Sequence, residues 1–254
     1  MIGFFGCEGT SDVSRVLGRM ASCAIVGKAP VTRTGAAAFF GPRDAGGATD
    51  GEDWVVVSGW ARLAARLLDA PALLAHLQSR GARSAAALAG EFSLAARVRG
   101  ASFVARDRYG TRPLYHALRG RAHLFATSIG PLLSAGVPAV VDRHAVVTSL
   151  VLGYAPAPAT ALARVRQVPP GHVVELGARG PIARAYYAPR ERLAARSMAD
   201  SARALDRALT KAVAQTPARG KVGAFLSGGL DSSLVLAGHA ERGERVEAYT
   251  LHFG

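Results

Sequence analysis

Near the end of the chain, Ser227-Gly228-Gly229-Leu230-Asp231-Ser232-Ser233 gathers three hydroxyls, two adjacent glycines and one carboxylate within a few positions. Gly228 and Gly229 have no Cβ, so the backbone can turn sharply and aim consecutive N–H groups at one anion. Ser227, Ser232 and Ser233 add hydroxyl donors. Asp231 would repel a bare phosphate, and it fits best beside a bridging Mg²⁺, a hard cation that takes carboxylate and phosphate oxygens together. The bland reading is an ordinary strand-turn-helix in which Asp231 caps a helix beginning at Ser232, a role worth about 1 kcal/mol.

The flanking residues supply the elements this chemistry needs. Val222 to Leu226 is a short apolar run bounded by glycine, which predicts a buried strand, and Ser232 onward continues as a mostly apolar helix. The loop therefore opens at a helix N-terminus, where unpaired N–H groups add partial positive charge. No Gly-Lys-Ser/Thr follows the glycines, so this is not a Walker loop. It resembles the pyrophosphate loop, Ser-Gly-Gly-x-Asp-Ser, of enzymes that split ATP between the α and β phosphates and leave an acyl-adenylate.

The chain has 254 residues, half of them hydrophobic, which is enough for two ordinary domains with real cores. Net charge is +13, from 31 Lys plus Arg against 18 Asp plus Glu. That balance suits an anionic ligand or partner. The arginines are scattered through Ala-rich helices and loops rather than gathered in a run, which reads as solvated helix faces and argues against nucleic acid. Cys7 and Cys23 make neither a disulfide framework nor a metal spacing. No leader pattern opens the chain, and no apolar run approaches the roughly 20 residues needed to span a bilayer. A cytoplasmic protein without membrane contact is expected.

Along the chain, Gly3 to Gly6 predicts a strand, and Thr10 to Ser22 a helix with Val13, Val16, Leu17 and Met20 on one face. Val26 to Asp53 reads as one weak strand and a loop, and Trp54 to Val57 as a strand. Ala61 to Arg80 reads as a helix carrying Leu63, Leu67, Leu74 and Leu77, broken at Pro71. Phe92, Leu94, Ala96 and Val98 alternate, then Arg99-Gly100 leads into Ser102 to Ala105, which predicts a hairpin. Further strands fit His123 to Thr127, His172 to Leu176 and Val246 to Phe253. Tyr186 to Arg196 reads as a linker, followed by a helix capped by Ser197.

Three more stretches carry a family resemblance. Arg106-Asp107-Arg108-Tyr109-Gly110-Thr111-Arg112-Pro113-Leu114-Tyr115 resembles the Arg-Asp-x-x-Gly-x-x-Pro-Leu-Tyr segment of asparagine synthetases, and Gly90-Glu91-Phe92 the strand start before it. Val168-Pro169-Pro170-Gly171-His172 is similar to their Pro-Pro-Gly turn, followed by the Tyr186-Tyr187 pair. With the pyrophosphate loop, these stand in family order and cover nearly the whole chain. The resemblance implies an α/β protein with an α+β first domain. That domain, residues 1–190, would be an αββα sandwich of the N-terminal-nucleophile type. Residues 197–254 would begin a doubly wound parallel-sheet domain of the adenine-nucleotide α-hydrolase type. It also implies ATP and Mg²⁺ as cofactors. Ser227, Gly228, Gly229, Leu230, Asp231, Ser232, Ser233 and Leu251 would be the nucleotide-binding residues and Asp231 the metal ligand. Tyr249-Thr250-Leu251 resembles the segment that lines adenine. Arg106 with Asp107 is read as a structural ion pair and turn.

The glutaminase chemistry of the first domain looks lost. A working member begins Met-Cys-Gly-x-x-Gly, and the exposed Cys attacks the glutamine amide with its own α-amine as base. Here Gly3 and Gly6 hold that register and put Ile2 at the nucleophile position, with no lone pair to offer. The family's substrate-holding Asn-Gly-Glu stands here as Ser58-Gly59-Trp60, and in the shortened stretch that follows Asp69 is the candidate remnant of a further Asp. Cys7 lies outside the glycine register and reads as a buried small hydrophobe. A doubly wound domain needs more strands than two, so the chain is expected to be the N-terminal portion of a protein roughly twice as long and to be inactive alone.

The implied function is an ATP-dependent, AMP-forming amide-bond ligase. Its carboxylate substrate would be a small molecule or a peptide, the attacking amine would come from the substrate itself, and a peptide-processing protein is a further expected partner. Glutaminase-dead relatives of this kind include β-lactam synthetases and lasso-peptide cyclases, the latter performing macrocyclisation. The alternatives are an asparagine synthetase using ammonia or glutamine, and a non-catalytic ATP-binding scaffold.

Overall fold

The computed structural model describes residues 3–23, 31–34, 36–40, 45–191, 197–217 and 221–252. It divides into two compact units, Met1–Pro189 and Arg190–Gly254. In the first unit, six described strands form one antiparallel sheet: β1 (Gly3–Glu8), β2 (Val31–Thr34), β3 (Ala37–Phe40), β9 (Tyr115–Arg119), β10 (Ala122–Ala126) and β11 (Arg166–Gln167), in the order β11-β9-β10-β1-β3-β2. A second antiparallel sheet holds β4 (Ala45–Asp50), β5 (Asp53–Leu63), β7 (Leu88–Val98), β8 (Ala101–Arg106), β12 (His172–Gly177) and β13 (Gly180–Ala185), in the order β13-β12-β8-β7-β5-β4, with the short β6 (Arg66–Leu68) paired to β5.

Strand alternation sorts the apolar side chains into layers. Phe4, Phe125, Trp54, Val56, Ala95 and Val104 form one core drawn from both sheets, so the sheets stack face to face. Their sequence neighbours point the other way. Phe5, Cys7, Leu124 and Ala126 pack beneath α1 (Val13–Ala21) and α3 (Ile129–Ser134). Val55, Val57, Leu94, Ala96, Phe103 and Ala105 pack beneath α2 (Ala70–Arg80). The layers therefore run α-β-β-α, as the resemblance implies, and α4 (Arg143–Leu152) follows α3 in the chain. Trp54 stacks on Phe125 across the inter-sheet layer, with centroids 6.1 Å apart and rings inclined by 23°, a geometry aromatic pairs favour.

Several sequence expectations need correction. The stretch read as one weak strand and a loop contains β2, β3 and β4; its Gly, Ala and Thr content lowers β-propensity, and pairing with β1 and β5 overrides it. The expected helix over Ala61 to Arg80 exists only from Ala70. β5 continues through Leu63 in register with β7, and Leu67 lies in β6. Pro71 starts the helix rather than breaking it, because a first-turn residue has no intrahelical N–H bond to lose. Asp69 is its N-cap, accepting from the Ala72 N–H at 2.9 Å. The alternating stretch behaves as expected: Arg99 and Gly100, with φ of +55° and +77°, make the tight turn between β7 and β8.

The second unit comprises α5 (Met198–Gln215), β14 (Val222–Phe225), α6 (Leu230–Glu241) and β15 (Val246–Tyr249). The Ser197 hydroxyl accepts from the Asp200 N–H at 3.1 Å, capping α5. β14 and β15 pair in parallel with α6 between them, the βαβ arrangement of an α/β domain. β14 was expected to be buried, but its burial alternates and Phe225 is 83% exposed. Among the described residues, β15 is the strand that pairs with it. Phe253, expected to end β15, lies outside the described residues.

Candidate functional site

Parallel pairing puts the carboxyl ends of β14 and β15 at one edge, and two segments emerge there. Ligands of open α/β sheets bind at such carboxyl ends. After β14, Ser227–Gly229 turns directly into α6. The helix begins at Leu230, not Ser232, and its N-cap is Gly229, which offers no side-chain bond. Asp231 is thus a first-turn residue rather than the cap, so the simple capping role does not describe it. The first-turn N–H groups of Leu230, Asp231 and Ser232 precede the first intrahelical donor, Ser233 N–H to Gly229 C=O at 3.3 Å.

Gly228 has φ +80°, a left-handed conformation that suits glycine, and a Cβ there would project into open space. The serine hydroxyls hold the loop's shape. Ser227 Oγ lies 3.1 Å from Ser232 Oγ and accepts from the Gly229 N–H at 3.3 Å. Ser232 and Ser233 hydroxyls both donate to the Gly229 carbonyl, at 3.2 and 2.8 Å. What faces outward is a set of backbone N–H groups, a glycine turn without side chains, and one exposed carboxylate. That donor set fits a polyphosphate whose charge is bridged to Asp231 by a hard cation. Among the described residues no three His, Cys, Asp or Glu side chains converge on a possible metal position, so such a cation would draw further oxygens from the phosphates.

After β15, Leu251 is 80% exposed at the same edge. Its neighbour Thr250 ties the two segments together, donating from Oγ1 to the Leu226 carbonyl at 2.9 Å, while the Leu226 N–H donates to the Tyr249 carbonyl at 2.9 Å. The sequence places Thr250 beside Leu251 in the adenine-lining segment but does not reveal this bridge, since a threonine after a strand carries no distinctive spacing.

The positions of the first unit that the resemblance aligns with a glutaminase site hold other contents. Ile2 lies outside the described residues. Ser58 is buried in β5 opposite Ser93 of β7. Gly59 has φ +94°, and a Cβ there would stand 2.0 Å from the Glu91 carbonyl oxygen, so close backbone approach requires the glycine. The Trp60 indole lies against Gly90, whose added Cβ would come within 3.0 Å of it. An aromatic ring thus occupies the position where the resemblance has a carboxylate. Cys7 is fully buried on the helix side of β1, and burial, with Glu8 adding, pushes its thiol up to about 11. It is an inert core residue.

Arg106 and Asp107 form no direct ion pair, which corrects the sequence reading; each bonds backbone instead. The Arg106 guanidinium donates to the carbonyls of Gly110, Arg112 and Val168. The fully buried Asp107 carboxylate accepts from the N–H groups of Tyr109, Thr111 and Arg112, each at 3.1 Å. Asp107 C=O accepts from the Gly171 N–H, and the Tyr186 hydroxyl donates to the Arg106 carbonyl at 2.6 Å. The three family-like stretches of this unit thus meet in one knot. Burial holds the Arg106 guanidinium below its ordinary value and raises the Tyr186 hydroxyl.

Residues 66–187 match the glutamine amidotransferase domain family, and residues 204–254 match the asparagine synthase family. No curated protein matches the chain. Two solved structures are similar at low identity. One is the allosteric regulatory enzyme of purine biosynthesis, at 15% identity and a TM-score of 0.46, covering 97% of this chain and 64% of that one. The other is a glutamine phosphoribosylpyrophosphate (PRPP) amidotransferase from B. subtilis complexed with ADP and GMP, at 14% identity and a TM-score of 0.43, covering 97% and 65%. The chain therefore spans just under two thirds of the length of each. No helix among the described residues is long and apolar enough to cross a membrane. Taken in chain order, a stretch similar to the glutamine amidotransferase domain family precedes one similar to the asparagine synthase family.

Proposed function

We propose that the whole protein is an ATP-dependent, AMP-forming amide-bond ligase that activates a substrate carboxylate for attack by an amine of the same substrate. The observation that carries this reading is the loop at Ser227–Ser233, which presents free helix N–H groups and the Asp231 carboxylate at the carboxyl edge of a parallel βαβ unit. ATP, when bound, supplies the adenylyl group that makes the carboxylate reactive. In this reading the chain's own residues bind and orient. The N–H groups of Leu230, Asp231 and Ser232 hold the phosphates, Gly228 keeps the approach free of side chains, and Asp231 holds Mg²⁺. Leu251 offers an apolar surface for the base, and Thr250 fixes it relative to the loop.

Ile2 in the nucleophile position and Ser58-Gly59-Trp60 in the substrate-holding position favour an amine from the substrate over ammonia from glutamine. Substrates of the lasso-peptide or β-lactam kind fit that requirement, and the protein would work in the cytoplasm. The test is ATP–pyrophosphate exchange by the full-length protein, offered short peptides with an acidic side chain and, separately, β-amino acids. Exchange that depends on such an acid supports the reading. Exchange with aspartate, and asparagine formation from free ammonia, would replace it with an asparagine synthetase. ATP binding without exchange under any acid would leave a scaffold.

A further inference from the structure

At the opposite end of the double sheet from Ser58–Trp60, about 20 Å along β7, lies an open cavity of about 550 Å³, a size that accommodates a small organic ligand. One wall is the C-terminus of α2 and the turn after it, carrying Arg80 and Arg83; another is the β7–β8 turn, carrying Arg99. The floor is apolar, with Phe103 and Leu176 both buried.

Two carboxylates also line the cavity, and both are already engaged. Glu8 accepts from Arg97 at 2.7 Å, and Glu175 pairs with Arg184 at 3.4 Å. Arg80, Arg83 and Arg99 have no carboxylate partner among the described residues. The Arg99 guanidinium donates to the Ser79 carbonyl at 3.4 Å, which leaves its charge unpaired. Three guanidinium groups without a carboxylate partner around a partly apolar floor make a site for an anion, since guanidinium matches carboxylate and phosphate oxygens in planar geometry. A second observation concerns the backbone. Arg99 sits at φ +55° in the first central position of a turn that Asn or Gly fills without strain, at a cost of about 1 kcal/mol for a longer side chain. Its N–H is held by the Asp53 carboxylate at 2.9 Å. Turn preference does not account for an arginine at this position; its side chain lies on the cavity rim, where it also reaches the last turn of α2.

We propose that this cavity is an anion-binding site, separate from the nucleotide loop, that takes a small molecule bearing a phosphate or clustered carboxylates. The proposal does not depend on the ligase reading. To test it, inorganic pyrophosphate and citrate are titrated separately into the isotope-labelled full chain, reading the amides of Gly81, Gly100 and Gly177 by NMR. The amides of Gly228 and Gly229 report any binding at the loop independently. Saturable shifts at the cavity amides are expected. Saturation by pyrophosphate alone assigns phosphates, and by citrate alone carboxylates. Each of Arg83→Ala and Arg99→Gly should weaken binding about five-fold, the scale of a partly exposed charge pair, while leaving the loop amides unmoved. Arg99→Gly should also raise or preserve the melting temperature, because it removes the backbone strain, so weaker binding there cannot be blamed on misfolding. Linear, non-saturating shifts, or an unchanged Kd in both variants, would overturn the proposal.

Discussion

The Arg106–Tyr115 stretch and the Ser227–Ser233 stretch are both rich in polar and small residues, yet they use them in opposite ways. In the first, the charged side chains are turned inward: Arg106 and Asp107 together bond six backbone groups, and Asp107 is fully buried. In the second, the carboxylate of Asp231 and the first-turn N–H groups of α6 face outward, without a partner among the described residues. A polar group bonded to its own chain stabilises the fold. One left open at a helix N-terminus is available to a ligand. The difference separates structural from binding chemistry more sharply than residue type does.

The largest effect that would sharpen this contrast is on the outward-facing side. In the full-length enzyme, Asp231→Asn should lower acid-dependent ATP–pyrophosphate exchange on the order of 10²-fold or more, the scale of losing a transition-state electrostatic contact, with little change in folding. Near-normal exchange at saturating Mg²⁺ and ATP would remove the metal role. On the inward-facing side, Asp107→Ala removes the buried acceptor of three backbone N–H groups and should cost about 3 kcal/mol or more of stability by urea unfolding. Unchanged stability with abolished ligation would reverse the assignment of the two stretches.

A smaller effect comes from His116, buried in β9. Burial, with His123 and Arg166 adding, lowers its pKa from 6.5 to about 4. The unfolded chain therefore binds more protons between those values, so this contribution to stability is complete above about pH 6.5 and is lost as pH falls toward 4, about 3 kcal/mol in all. Urea unfolding at pH 7.5 and 5, with His116→Gln as control, should show a pH slope that the variant flattens. No measurable effect is expected from Ile2→Cys: glutamate release from glutamine should stay at the buffer level, because Ser58 and Trp60 stand where the substrate-holding groups would be. Release above that level in either form would show that the first unit retains its chemistry.

Much of the fold was legible because burial that repeats with the period of a strand or a helix leaves a readable signature. Phe92 to Val98 followed by Arg99-Gly100 announced a hairpin, and Val16, Leu17 and Met20 announced a helix. Ala61 to Arg80 misled because leucines at helical spacing were shared among β5, β6 and α2, and a proline at a helix start looks like one at a break. The Gly-rich β4 was missed because its pairing with β5 comes from register, not propensity. At the candidate site, the glycines and Asp231 stood out by type and spacing. Thr250, and the outward aim of the Leu230 N–H, depend on where two distant strands end, which no local pattern encodes.

The inter-sheet stack of Trp54 on Phe125 gives the molecule a built-in optical reporter. Both tryptophans of the chain, Trp54 and Trp60, lie in β5, so indole emission follows the first unit alone and is silent to the second. As the sheets part, the 3%-exposed Trp54 passes from a dry layer into water and its emission shifts to the red. Far-ultraviolet circular dichroism, dominated in the second unit by α5 and α6, follows both. Non-coincident transitions by the two probes would therefore show the halves melting separately, and would yield a stability for each from one intact chain.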